Sequence, residues 1–301
     1  MKKKPISPES RAKSLEFIYR KLSFCSSRCL FNLAKIMALI VTHTSNQLSR
    51  QSTENINLCF PELNSAQKKK LHAKNIHHTC CNFFELANLW SNPIAQVLSC
   101  ITDEQIADSF HSSKRAKIVI APHHGSWELL NLWLAQHQPL MSLYKPTRNP
   151  FVDNYVIKSR SRNGAQLIPI GTAGLRQLLK GLKAEACTMV LPDQKPRANK
   201  ACITAPFYQH NAETSLLIKN LASKADCDIY IAVVTRDLKQ CDYSLRIEQL
   251  DRTTITSDDV TSASYLNQSI ENLIRNDISQ YQWTYRRFPE EVYQTFASSH
   301  S

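Results

Sequence analysis

The chain has 301 residues, 43% of them hydrophobic and 21% charged, and a formal net charge of +12. That length suits one large domain, or one domain with a helical attachment, and the positive balance suits an anionic partner such as nucleic acid, a membrane surface or an acidic protein. Ten cysteines with no CxxC pair argue against a dense disulfide framework and for a reducing compartment. The chain has no GxSxG elbow and no Walker A motif, so a serine hydrolase and a nucleotidase have little positive support.

Residues 1–35 carry Lys2, Lys3, Lys4, Arg11, Lys13, Arg20, Lys21, Arg28 and Lys35 against Glu9 and Glu16. Residues 10–45 read as one or two helices. Their most apolar stretch, CLFNLAKIMALIV (29–41), is interrupted by Asn32 and Lys35 and falls short of the ~20 apolar residues a membrane span needs. Placed after a basic run, it suits the surface of an anionic membrane; a buried helix with a solvated start is the plain alternative. Residues 53–90 read as a turn and then a long helix, with Ser65 as N-cap and Leu71, Ile76, Cys80 and Phe83 as an apolar stripe. Residues 102–115 read as a polar helix or connection.

From there the pattern alternates. Strands are expected at 117–122, 139–144, 165–170, 186–192 and 227–236, and helices at 126–138, 149–161, 173–185, 213–226 and 263–278. Apolar strands alternating with amphipathic helices predict an α/β fold, a mixed central sheet flanked by helices. The expected divisions are a basic helical membrane-associating segment at 1–45, a main domain at 46–295 and a short tail at 296–301.

The most informative stretch is IVIAPHHGSWELLNLW, residues 118–133. A strand ending near Ala121 delivers His123 to the edge of a sheet. Gly125 permits a tight turn, Ser126 suits a helix N-cap, and Glu128 falls in the first helical turn. A neutral imidazole can take a proton from an alcohol while a carboxylate fixes its tautomer and offsets the imidazolium charge. The competing reading is structural: the histidines cap backbone groups and Glu128 favours the helix start. A metal site has less support, because His123, His124 and Glu128 do not form HExxH and no cysteine pair accompanies them.

His123 and Glu128 in the His-x4-Glu spacing, with Gly125 and Trp127 between them, resemble the late acyltransferases of bacterial lipid A biosynthesis, the lauroyl/myristoyl transferase family of glycerolipid acyltransferase-like fold. Pro122, His124 and Ser126 depart from that family's usual wording. Further blocks resemble it in order: ENINLCFPELN (54–64), LYKPTRNP (143–150) with Lys145 where Arg is common, SRNGAQLIP (161–169) with Arg162 and Gly164, LPDQ (191–194), APFY (205–208), and QWTYRRFP (282–289) with Tyr285 where His is common. Together they span roughly residues 54–289.

The resemblance implies an O-acyltransferase on the cytoplasmic face of the bacterial inner membrane. It implies transfer of a fatty acyl chain from acyl carrier protein, as co-substrate, to a hydroxyl of a phosphorylated glucosamine lipid A precursor, with no metal and no other cofactor. His123 would be the base and Glu128 would orient it. By charge alone Arg162 reads as a solvated surface residue, but the matched block makes it the phosphate-binding candidate, with Lys145 adding a contact and Gly164 relaxing the adjacent turn. Asp193 would orient Arg162 or help hold the site. Trp127, Phe207 and Tyr208 are candidates to line an acyl channel, with core packing as the alternative. Partners would be acyl carrier protein, anionic membrane lipid and the phosphorylated acceptor. Nucleic acid is not expected, because no zinc finger, RNP pair or basic–aromatic pattern is present. Competing readings are transfer to another lipid acceptor and an inactive membrane-binding scaffold.

Overall fold

A computed structural model describes residues 8–196 and 201–299. Lys2, Lys3 and Lys4 of the basic run, and residues 300–301 of the expected tail, lie outside them. Among the described residues nine strands form two sheets: β1 (Ile101–Ile106), β2 (Ala116–Ile120), β3 (Leu140–Tyr144), β4 (Gln166–Pro169), β5 (Cys187–Val190), β6 (Cys202–Phe207), β7 (His210–Ser215), β8 (Cys227–Asp237) and β9 (Asp242–Leu250). Seven make one sheet in the order β1-β9-β8-β2-β5-β3-β4, and β6 pairs with β7 as a hairpin. Within the large sheet only β8 and β9 pair antiparallel, so it is mixed, as expected.

The middle of the sheet is buried on both faces. Alternate residues of a strand point to opposite sides. In β2, Ile118 and Ile120 enter one apolar cluster with Leu178, Ile218 and Ile270, while Val119 enters another with Ala38, Ile76 and Leu130. The result is three layers, helix on sheet on helix.

The N-terminal helices are α1 (Pro8–Leu22), α2 (Ser27–His43), α3 (Gln47–Cys59), α4 (Ser65–Phe84) and α5 (Leu86–Ser91). Leu30, Phe31, Ala34 and Ala38 bury one side of α2 against the body, so the segment is packed rather than detached. The turn expected from residue 53 is already helix until Cys59, and the N-cap of α4 is Asn64, not Ser65. Asn64 forms a capping box with Gln67.

The polar stretch near 102–115 is edge strand β1 followed by a single helical turn, Ser109–Ser112. It pairs with β9, a strand the sequence reading passed over. The helix expected from 213 begins at Leu217, because Glu213, Thr214 and Ser215 belong to the β6–β7 hairpin. Residues 296–299 of the expected tail complete the last helix, Glu290–Ser299.

Candidate active site

β2 and β5 run parallel and in register, with Ile120 opposite Val190. His123 lies three residues past the end of one and Asp193 three past the end of the other, so equal offsets from paired strands bring the two together. They meet beyond the carboxyl ends of the parallel strands, the usual place for a site in such sheets.

The contact is two-pronged. The His123 backbone N–H donates to Asp193 Oδ2 at 2.8 Å, and His123 Nδ1 lies 2.7 Å from Asp193 Oδ1. Burial pushes the Asp193 carboxyl up, but the His123 ring and these hydrogen bonds more than offset it, and the net shift is downward. Asp193 is therefore an ionised acceptor, which puts the ring proton on Nδ1 and leaves Nε2 as the acceptor nitrogen of the ring. Gln194 Nε2 sits 3.2 Å from His123 Nε2 and donates to Gln282 Oε1 at 3.1 Å. Trp127 meets the His123 ring edge-on, with centroids 5.2 Å apart.

The imidazole's partner is thus Asp193, and the expected direct support from Glu128 gives way to it. Glu128, buried in the first turn of the helix Trp127–His137, takes Arg160 instead: Arg160 Nε donates to its two oxygens at 3.1 and 3.0 Å, and Arg160 Nη2 to Oε1. Among the described residues no hydrogen bond joins His123 to Glu128. The physical reason is the helix: Glu128 is turned toward the end of the helix Pro150–Arg160, while β5 offers Asp193 to the ring. Burial disfavours the Arg160 charge, but the Glu128 carboxylate raises its pKa overall.

His123, Glu128, Arg160, Lys145 and Gln194 line one cavity of about 280 Å³ with Leu143, Leu167, Met189 and Leu217. Lys145 is exposed at its rim. A hollow of about 640 Å³ lies between α3, α4 and Phe296, and one of about 270 Å³ beside the α1–α2 turn. Neither is lined by a histidine paired with a carboxylate, so the mixed polar and apolar cavity at His123 is the candidate active site.

Arg162 is placed elsewhere. Its Nη1 donates to Leu89 O at 2.8 Å and its Nη2 to Asn92 O, closing the carboxyl end of α5. Asp193, bound to His123, does not orient it. The nearby cation in the cavity is Arg160, two residues earlier, because side chains two apart near a helix end face different directions. Gly164 is a turn residue, with φ of 88° and its N–H on Ser161 O.

Of the three aromatic candidates, Trp127 lines the cavity, whereas Phe207 is core and Tyr208 packs on Phe60 and Trp283. His124 is fully buried, and burial lowers its pKa to about 4. It is a neutral packing residue.

The outer blocks serve one another. Asn55 Nδ2 donates to Trp283 O at 2.7 Å and Tyr285 O at 2.8 Å, and Tyr285 Oη accepts from Lys195 N at 3.1 Å. The Gln282 N–H in turn donates to His123 O at 2.9 Å. Sequence reading did not anticipate that Arg160 lines the cavity or that Asp193 binds His123. The available signal was the matched three-residue offset after two apolar strands.

Residues 17–290 match the family of bacterial lipid A biosynthesis acyltransferases. The chain belongs to that family, and it is an acyltransferase. It is 25% identical over 244 residues to the lipid A biosynthesis lauroyltransferase of Escherichia coli K12, covering 79% of each chain. Against the palmitoleoyltransferase of the same organism it is 25% identical over 238 residues, covering 78% of this chain and 76% of the other. A lipid A biosynthesis acyltransferase of Haemophilus influenzae matches 286 residues at 22% identity, 89% of this chain and 84% of the other. The 1-acyl-sn-glycerophosphate acyltransferase PlsC of Thermotoga maritima aligns over 83% of this chain and 94% of its own at 11% identity, with a TM-score of 0.35, and the assignment rests on the family match instead. Among the described residues no group of three His, Cys, Asp or Glu side chains is placed to hold a metal ion.

Proposed function

We propose that this enzyme transfers a fatty acyl chain from acyl carrier protein to a hydroxyl of a phosphorylated glucosamine lipid A precursor, at the cytoplasmic face of the inner membrane. The observation that carries the reading is the buried Asp193 carboxylate fixing the His123 tautomer beside a cavity with a polar mouth and an apolar wall. His123 Nε2 takes the acceptor hydroxyl proton as the oxygen attacks the thioester carbonyl. Asp193 stabilises the imidazolium that forms. The tetrahedral intermediate collapses by breaking the C–S bond, and the imidazolium returns its proton to the departing thiolate. The products are the new ester and the free carrier thiol, without an acyl-enzyme or a metal.

Arg160 takes the anion-binding role that the sequence suggested for Arg162. Glu128 anchors its Nε and Nη2, while its Nη1 makes no hydrogen bond within the described residues and remains a donor for a phosphate or a developing oxyanion. Lys145 at the rim adds positive charge.

Membrane association has its own support. Phe17, Ile18, Phe24, Ile36, Leu39 and Ile40 on α1, α2 and their connecting turn are exposed, in a stretch that also carries Lys21, Arg28 and Lys35. No helix among the described residues is long and apolar enough to cross a membrane, so this face would lie on the surface rather than span it.

The test is transfer of a radiolabelled acyl group from acyl carrier protein to a panel of lipid acceptors, with products identified by mass spectrometry. The reading requires ester formation on the phosphorylated glucosamine lipid. Transfer to a different acceptor alone would replace the assigned substrate, and no transfer from any carrier-bound donor would remove the assigned donor.

A further inference from the structure

Behind the catalytic turn lies an ion pair that the proton transfer does not use. Glu85, at the junction of α4 and α5, is buried, and the Arg236 side chain in β8 is 0% exposed. Arg236 Nε donates to Glu85 Oε2 at 2.5 Å and Nη2 to Oε1 at 2.7 Å. Tyr243, directly opposite Arg236 across the β8–β9 pair, donates its hydroxyl to Glu85 Oε2 at 3.1 Å. Asn82 Oδ1 also accepts from Arg236 Nη2.

Two further bonds leave this pair for the catalytic turn. Arg236 Nη2 donates to Gly125 O at 2.8 Å, and Ser126 Oγ donates to Glu85 Oε1 at 2.7 Å. Ser126 holds the N-cap position of the helix bearing Glu128 yet makes no cap hydrogen bond with its side chain. Serine at that position ordinarily caps, and here its hydroxyl serves Glu85 instead. The backbone completes the fastening: Gly125 N donates to Gln280 O at 3.1 Å and Ser126 N to Val234 O at 2.7 Å. Gly125 has φ of 62°, and a Cβ there would collide with the Val234 carbonyl, so the turn lies directly against β8.

We propose that the buried Glu85–Arg236 pair is a positioning device for catalysis, holding the Gly125–Ser126 corner so that the His123 ring is aimed at the acceptor hydroxyl. Stability alone gives no reason to bury such a pair, since apolar residues of similar volume are often as stabilising or more so. Its bonds to the corner supply a reason. Asp193 fixes the ring from the β5 side, and the corner fixes the same residue's main chain from the β8 and α4 side. A base displaced by about 1 Å from its productive position can lose on the order of 100-fold in rate. The inference rests on His123 being the base.

The experiment compares wild type with Ser126→Ala, the double variant Glu85→Leu/Arg236→Met, and His123→Ala, reading kcat, KM, thermal unfolding and the His123 ring signals by NMR. Single loss of either charge would strand the other and is avoided. The double variant is expected to fold, with kcat lowered roughly 30- to 100-fold, KM within about threefold of wild type, and shifted His123 ring signals. Ser126→Ala keeps the ion pair and is expected to lose roughly three- to tenfold in kcat with unchanged KM. Wild-type kcat in a folded double variant would overturn the proposal. Should the double variant fail to fold, Ser126→Ala decides alone: wild-type kcat with unshifted His123 signals overturns the proposal, and the kcat loss with shifted signals supports it. Full turnover by His123→Ala would instead overturn the base assignment.

Discussion

The turn around His123 and the outer surface of α1 and α2 follow opposite physical rules. At the turn, hydrogen bonds hold the backbone N–H groups of His123, Gly125 and Ser126 to Asp193, Gln280 and Val234, and His124 is packed away from water. On α2, by contrast, Leu30, Phe31, Ala34 and Ala38 are buried while Ile36, Leu39 and Ile40 face outward. A group that moves a proton needs one fixed geometry. A surface that meets lipid needs apolar area left uncovered, beside cations that favour anionic headgroups. In the proposed reading the two demands fall on different elements, joined through α4, which packs on α2 and delivers Glu85 behind the turn.

That division is broken most sharply at the site. Asp193→Asn reverses the hydrogen-bonding preference at Nδ1, so kcat is expected to fall about 10³-fold with the protein still folded. Glu128→Gln weakens the hold on Arg160 without touching the His123–Asp193 bond, so a smaller loss, roughly 100-fold, is expected. Steady-state kinetics on both variants checks the order. A Glu128 variant falling much further than the Asp193 variant would return the orienting role to Glu128.

On the other surface, changing Phe24, Ile36 and Ile40 together to Ser is expected to weaken binding to anionic vesicles at least about tenfold. Turnover on a detergent-dispersed acceptor should remain. Flotation assays measure the first and kinetics the second. Equal loss of both would mean that the two regions are not separable.

The effect farthest from turnover is on acid stability. Burial, with the Arg236 charge adding to it, lowers His124 from 6.5 to about 4 and His78 to about 3. Both are neutral when folded, whereas the unfolded chain takes up protons once pH drops below 6.5. Stability is therefore full above that pH and declines as pH falls toward 4, with His124 accounting for about 3 kcal/mol. Urea unfolding between pH 7 and 4 should show the decline, and His124→Leu should flatten it.

Much of the sheet was legible because β2, β5 and β8 are short apolar runs between amphipathic helices. β1 was not: its middle residues are exposed, as at many sheet edges, so no apolar pattern marks it. β9 carried a readable alternation in Tyr243, Leu245 and Ile247 that a strand-period count finds. The geometry of the candidate site was half legible. Local spacing brought out His123 and Glu128, but the partner of a side chain at a sheet edge is set by which strand lies next to it. That order places Asp193, seventy residues away, against His123. Arg160 and Arg162 could not be told apart from SRSRNG, because the choice depends on where the helix ends.

The most direct test is single-turnover acyl transfer by His123→Ala, with circular dichroism and vesicle binding confirming that the variant folds and docks as wild type does. The account predicts ester formation slowed at least about 10³-fold while membrane binding is unchanged. Transfer at the wild-type rate by that folded, bound variant would contradict it.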